Sequence, residues 1–139
     1  MTHEQARELF IRHVPASAVE YCYHLWDSHS FQLKLRKSRV TKVGDFTCRY
    51  GQTPQITLNH DLSPLLFLLT YVHEVAHLIV HQQYGHRAEA HGIEWKQTFQ
   101  QLLAPVLTQE IFPEDLYHAL TRHMKNPMAS TFSDAVVTR

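Results

Sequence analysis

No stretch limits what this chain can fold into as narrowly as Leu65-Leu66-Phe67-Leu68-Leu69-Thr70-Tyr71-Val72-His73-Glu74-Val75-Ala76-His77-Leu78-Ile79-Val80-His81. A helix that is apolar on every side is a buried helix. Burying His73, Glu74 and His77 inside such a run costs free energy unless something pairs them. A metal ion is a partner able to do so.

The spacing agrees. His73 and His77 lie four residues apart, so on a helix they stand one above the other, with Cβ atoms ~6 Å apart. Both imidazoles then reach one zinc ion at ~2.0–2.1 Å. Glu74 follows the first His and points to the side of the metal, which suits a carboxylate that holds and deprotonates a water there. This is the His-Glu-x-x-His pattern of zinc metallopeptidases. Catalytic zinc takes a third protein ligand and keeps one position for water. Downstream stand His81, His86, Glu89, His91 and Glu94. His81 lies two turns, ~11 Å, from His73 along a straight helix. The metzincin spacing, a His six residues after the second, falls on Gln83 and excludes that class. Spacing alone leaves two ligands open: His91 at the mouth of the next helix, and Glu94 one turn further on, as in gluzincins.

The 139 residues make one domain with a real core. Thirteen basic side chains balance thirteen acidic ones, so any electrostatic partner must be met by a local patch. Cys22 and Cys48 are the two cysteines, which excludes a cysteine-ligated zinc finger and leaves a single bridge between them open. The amino-terminal residues are mixed and polar, unlike a leader. The apolar run is short for a membrane span and carries His and Glu near its middle. A cytoplasmic protein without membrane contact is the expectation.

Along the chain, Ala6, Leu9 and Phe10 mark an amphipathic helix ending before Pro15. Ser17 as N-cap with Glu20 three residues on predicts a capping box and a second helix to about residue 26. Phe31, Leu33 and Leu35 alternate with Gln32, Lys34 and Arg36 as in a half-buried strand. Residues 43–50 predict a second strand with Gly44-Asp45 as a bulge or bend, and residues 55–59 a short third. Short connections predict an antiparallel meander. Ser63 before Pro64 starts the long helix, and Gly85 stops it after residue 82 or 84. A further helix runs from Gly92 to before Pro105, and Pro113 opens a last one through Met124. The expected organisation is one α+β domain over residues 1–126, with a small three-stranded sheet packed with helices, and a poorly ordered tail over 127–139.

Lys34, Arg36, Lys37, Arg39, Lys42 and Arg49 crowd the strand segment against one acid, Asp45. They read either as a phosphate-contacting patch beside the site or as a solvated strand face that discourages edge pairing.

His73-Glu74-Val75-Ala76-His77, followed after thirteen residues by His91-Gly92-Ile93-Glu94-Trp95-Lys96, resembles the SprT-like (Spartan) metalloprotease family, whose pattern is His-Glu-x-x-His, a variable loop, then His-Gly-x-x-Trp/Phe. The likeness extends through the strand segment and Asn59-His60-Asp61, over residues 30–105. It implies a zincin-like fold with zinc on His73, His77 and His91. Glu74 becomes the catalytic residue, Glu94 a carboxylate behind the ligands or at the helix start, and Trp95 a core anchor. It also implies proteolysis, in several members of proteins crosslinked to DNA, with DNA as activator. The four-cysteine zinc ribbon of many members has no counterpart in these residues.

The expectation is therefore a zinc-dependent endopeptidase acting on DNA-associated or DNA-crosslinked proteins, with Glu74 as general base. Two alternatives stand beside it: a zinc-stabilised nucleic-acid-binding module without proteolysis, and an aminopeptidase-like gluzincin using Glu94. Tyr71, Tyr84, His86, Tyr117, His118 and His123 are all open as oxyanion helpers, and the sequence does not fix an oligomeric state.

Overall fold

Ser63 and Gly85 punctuate the helix on which the other elements pack. In the computed structural model, which describes residues 1–127, helix α3 spans Pro64–Tyr84. Ser63 Oγ accepts from the Leu66 N–H at 3.4 Å, and Pro64 occupies the first turn, where its missing N–H costs nothing. Gly85 ends the helix at φ 61°, a left-handed value that favours glycine, and its N–H donates to the His81 carbonyl. By length and composition α3 could cross a bilayer, but 67% of its most apolar window is buried inside the protein, as in a core helix.

Among the described residues there are five α-helices and one three-stranded sheet. Before α3 come α1 (His3–His13), α2 (Val19–Ser28), β1 (Gln32–Arg36), β2 (Gly44–Thr47) and β3 (Gln55–Asn59); after it come α4 (Ile93–Leu103) and α5 (Glu114–His123). The class is α+β. α1 and α2 meet α3 directly, with Phe10 against Tyr71 at 5.1 Å between ring centroids and His13 stacked on Phe67 at 4.9 Å. The Tyr71 hydroxyl, wholly buried, donates to the Cys22 carbonyl at 2.9 Å. Trp95, Phe99 and Leu103 of α4 close the other side. Each such side chain contributes ~1.5–3 kcal/mol on burial, so α3 is held by its surroundings rather than by its own helix propensity.

Two local expectations fail. Ser17 does not cap α2: residues Ala16–Ala18 form a 3-10 turn, the N-cap is Ala18, and no side chain caps the helix. The Ser17 hydroxyl donates instead to Glu110 at 2.9 Å, and Glu20 is drawn off by an ion pair with Arg7. Nor is Gly44 a bulge, since Gly44 and Asp45 pair in regular register with Leu58 and Thr57.

The sheet is mixed, not an antiparallel meander. Its order is β1-β3-β2, with β1 parallel and β2 antiparallel to β3. The reason lies in residues 37–43, which cross the sheet instead of turning back. Asn59 fixes them there: its amide donates to the Lys42 carbonyl at 2.9 Å, and its Oδ1 accepts from Arg39 Nε at 2.8 Å. Arg39 also donates to Thr57 Oγ1 at 3.0 Å. The alternating pattern of β3 thus misleads, because both faces are covered: Ile56 and Leu58 lie in the core, and Thr57 and Asn59 lie beneath the crossing segment. A strand buried on both faces takes the centre of the sheet. Residues 128–139, most of the expected tail, lie outside the described residues. Cys22 and Cys48 are free thiols.

Candidate metal centre

His73 and His77 lie on one face of α3, turned toward α4. His91 reaches the same point from the segment between them, where the Gly92 N–H donates to the Glu89 carbonyl at 3.2 Å just before α4 begins. Its Nε2 lies 3.0 Å from His77 Nε2 and 3.2 Å from His73 Nε2. All three ligand-type nitrogens fall within 4.8 Å of one another. Among the described residues no other set of three His, Cys, Asp or Glu side chains converges in this way, and Glu94 is not in the group.

Trp95 underlies all three imidazoles. Its ring centroid lies 4.7 Å from His73, 4.8 Å from His91 and 5.5 Å from His77, on which it stacks at 24°. The indole Nε1–H donates to the His73 carbonyl at 3.3 Å, and Phe99 stacks behind at 5.0 Å. An apolar floor one turn into α4 therefore sets the depth of the cluster, while exposed His91 forms its open side.

Burial makes these groups resist charge. Desolvation first, then the His77 and His91 imidazoles, lower His73 to about 3; desolvation and then His91 bring His77 to about 4, with Asp45 pulling the other way. His91 is lowered by desolvation as well. Glu74, 7% exposed, is pushed up to about 8, chiefly by burial and then by Asp45, with Arg39 and Lys42 pulling the other way. The donor set is thus three neutral imidazoles, the form in which histidine binds metal.

Gly44 lets β2 approach Glu74. A Cβ there would stand 2.5 Å from Thr70 Cγ2, 3.0 Å from Leu58 Cδ2 and 3.3 Å from Glu74 Oε2. Close helix–strand approach, rather than a bulge or bend, is what this glycine serves, and the one sign of it in the sequence is a glycine inside an otherwise strand-like run.

The basic residues separate. Arg39 is half-buried and fixed on Thr57 and Asn59, and Lys42 pairs with Asp45 at 3.2 Å. Lys34 and Arg36 alternate with core-facing Leu33 and Leu35, so they lie on the sheet face away from the helices; Lys37 and Arg49 are exposed in the flanking connections. Glu94 is half-buried in the first turn of α4. Tyr71 is committed to Cys22 and so is withdrawn from the oxyanion candidates.

Comparison with known proteins finds relatives. The chain is 31% identical to Protein SprT of Pseudomonas putida over 94 residues, which is 68% of this chain and 49% of that protein. It is 33% identical over 97 residues to Protein SprT of both Pseudomonas paraeruginosa and Pseudomonas aeruginosa, covering 68% of this chain and 48% of each relative. The chain thus spans about half the length of the curated relatives it matches. No protein-family model matches it, and no solved structure matches it.

Proposed function

From the premise that this chain belongs to the SprT-like family, we propose that it is a zinc-dependent endopeptidase with a zincin-like fold. The observation that carries the reading is the convergence of the His73, His77 and His91 nitrogens. Tetrahedral bonds of ~2.0–2.1 Å set ligand atoms about 3.3–3.4 Å apart. The separations of 3.0 and 3.2 Å fit that geometry. Three neutral nitrogens are also the donor set of a catalytic zinc with one position left over.

His73, His77 and His91 would hold the zinc, which would supply a Lewis acid able to polarise a carbonyl and to lower the pKa of a water toward ~7. Glu74, adjacent to His73 on the helix and walled in by Gly44 and Thr70, is held neutral by burial on its own; the charge of a cation on the histidines would draw it back to the carboxylate, the form that would take the proton from the attacking water and pass it to the leaving amine. Trp95 keeps the imidazoles at a fixed depth by holding the His73 backbone. The buried wall around Glu74 excludes bulk water from the proton it carries.

Proteins associated with DNA are the proposed substrates. Lys34, Arg36, Lys37 and Arg49, all exposed, and fully exposed Tyr50 beside Arg49 support a phosphate- and base-contacting surface. The two free thiols support a reducing compartment, the cytoplasm.

The test pairs metal content with cleavage of a DNA-bound basic protein, with and without single-stranded DNA. Wild-type protein should carry about one zinc per chain. Glu74→Gln should keep the metal and lose turnover by ~10²-fold or more. His91→Ala should lose both, and Glu94→Ala should retain zinc. Metal kept in His91→Ala but lost in Glu94→Ala would overturn the ligand assignment in favour of a gluzincin. Zinc without any hydrolysis sensitive to Glu74→Gln would leave a zinc-stabilised binding module.

A further inference from the structure

Beside the three histidines a cavity of about 270 Å³ runs from His77 toward the end of α3. His77, Val80 and His81 occupy one helix face at i, i+3 and i+4, and all three line it. Phe46 of β2 forms the opposite wall. After Gly85 the chain folds back through the 3-10 turn Gly85–Arg87, so that His86 and Ala88 close the outer side.

The cavity adjoins the candidate metal centre, since His77 belongs to both. Its ring is a wall here, and its Nε2 lies 3.0 Å from that of His91. A group entering the cavity from a polypeptide laid across the histidines is therefore only one side chain removed from the bond at the centre. The volume is below the ~300–1,000 Å³ that holds a drug-sized molecule, which suits a single side chain.

The lining decides which one. Phe46, Val80 and Ala88 are apolar, and all three pack with the core. Phe46 meets His81 at 5.8 Å between centroids with the planes at 59°, and His81 meets His86 edge-on at 5.4 Å and 74°. Three rings so arranged offer faces and edges to a fourth. The one carboxylate on the lining, Glu89, is exposed, so no buried counter-charge awaits a basic side chain.

We propose that this cavity binds the side chain of a substrate residue flanking the scissile bond and selects large apolar residues, aromatic ones first. The proposal rests on the endopeptidase reading and adds to it a cleavage preference. Phe46, Val80, His81 and Ala88 are then specificity-determining residues. A pocket of this kind discriminates by the apolar volume it accepts, with about a 10-fold effect for a single methylene and more for a ring.

The test uses zinc-loaded Glu74→Gln protein, which binds without turning over. Fluorescein-labelled octapeptides of one Gly/Ser host sequence carry a single guest, Trp, Phe, Leu, Ala, Lys or Glu, and binding is read by fluorescence polarisation. Phe should bind at least about 10-fold tighter than Ala, and Lys and Glu no tighter than Ala. Adding Ala88→Trp, which fills the cavity, should bring the Phe-to-Ala ratio to about one. If that variant fails to fold by circular dichroism, Phe46→Ala replaces it and should shift the preference toward a Trp guest.

Equal affinity for all guests, or a ratio unchanged by the cavity variants, overturns the proposal. Mapping by mass spectrometry the cuts that wild-type protein makes in an unfolded protein separates the two readings. Cuts with no preference for flanking Phe, Tyr or Leu sink the pocket and leave the endopeptidase standing. Guest-selective binding with no cleavage by wild-type protein sinks the endopeptidase and leaves the pocket.

Discussion

Replacing Gly44 by Ala tests whether β2 and α3 together hold Glu74 in place. The added methyl would lie 2.5 Å from Thr70 Cγ2 and 3.0 Å from Leu58 Cδ2, against an ordinary carbon contact of ~3.5–4.0 Å. Neither neighbour gives way easily, because Leu58 is fully buried and Thr70 is a β-branched residue in mid-helix. Overpacking of this kind costs ~1–3 kcal/mol. For a domain of this size that lowers the melting temperature by roughly 3–12 °C. The third contact, 3.3 Å to Glu74 Oε2, ties the strain to the chemistry. A shift of about 1 Å at a proton-transfer group costs up to ~10²-fold in rate. The assay is casein hydrolysis at 15 °C, where the variant stays folded, alongside zinc content and thermal melting. Activity should fall by ~10- to 100-fold with zinc retained, since the histidines rest on Trp95 and not on β2. Thr70→Ser removes the atom in the closest contact, so Gly44→Ala with Thr70→Ser should recover most of the loss, with a coupling of about 1 kcal/mol or more. A Gly44→Ala protein within two-fold of wild-type activity, or a double variant no better than the single one, would refute the argument.

Two further outcomes follow from buried groups. Trp95→Phe removes the indole donor to the His73 carbonyl and part of the floor under the histidines. It should cost about 2 kcal/mol in urea unfolding, short of the ~3–5 for full truncation to Ala, and weaken zinc about 10-fold in a chelator competition; unchanged zinc affinity would remove the floor from its role. Tyr21, whose hydroxyl donates to the Leu102 carbonyl, is raised to about 12 mainly by burial. An unfolded tyrosine releases its proton near ~10, so between these values the unfolded chain holds fewer protons than the native one and stability falls as pH rises. Urea midpoints measured from pH 9 to 12 should slope less steeply in Tyr21→Phe, and identical slopes would contradict the assignment.

What the sequence revealed and what it hid divide by range. The ends of α3 were legible because Ser63, Pro64 and Gly85 act on their own neighbours, and the pairing of His73 with His77 follows from helix geometry alone. The position of His91 was not legible from spacing, since the path of residues 85–92 decides whether His91 or Glu94 arrives at the cluster; the family resemblance carried that step. Sheet order was hidden because it depends on Asn59 and Arg39 holding residues 37–43 across β3. For the same reason Arg39 read as one more basic surface residue, although it is half-buried and tied to Thr57. Gly44 read as a bulge because a glycine's neighbour on another element leaves no mark on the local pattern.

The apolar floor also separates this chain from domains that an ion must fold. Trp95 and Phe99 are buried in a core that extends from Phe10 to Leu120, so apolar packing by itself supplies the contacts that hold α4 against α3. Small zinc modules lack such a core and are unfolded without metal. Here one of the three imidazoles, His91, faces solvent from a connecting segment. Stripping by a chelator and refilling with a different divalent ion should therefore proceed on a standing scaffold, as reversible exchange rather than as unfolding and renaturation.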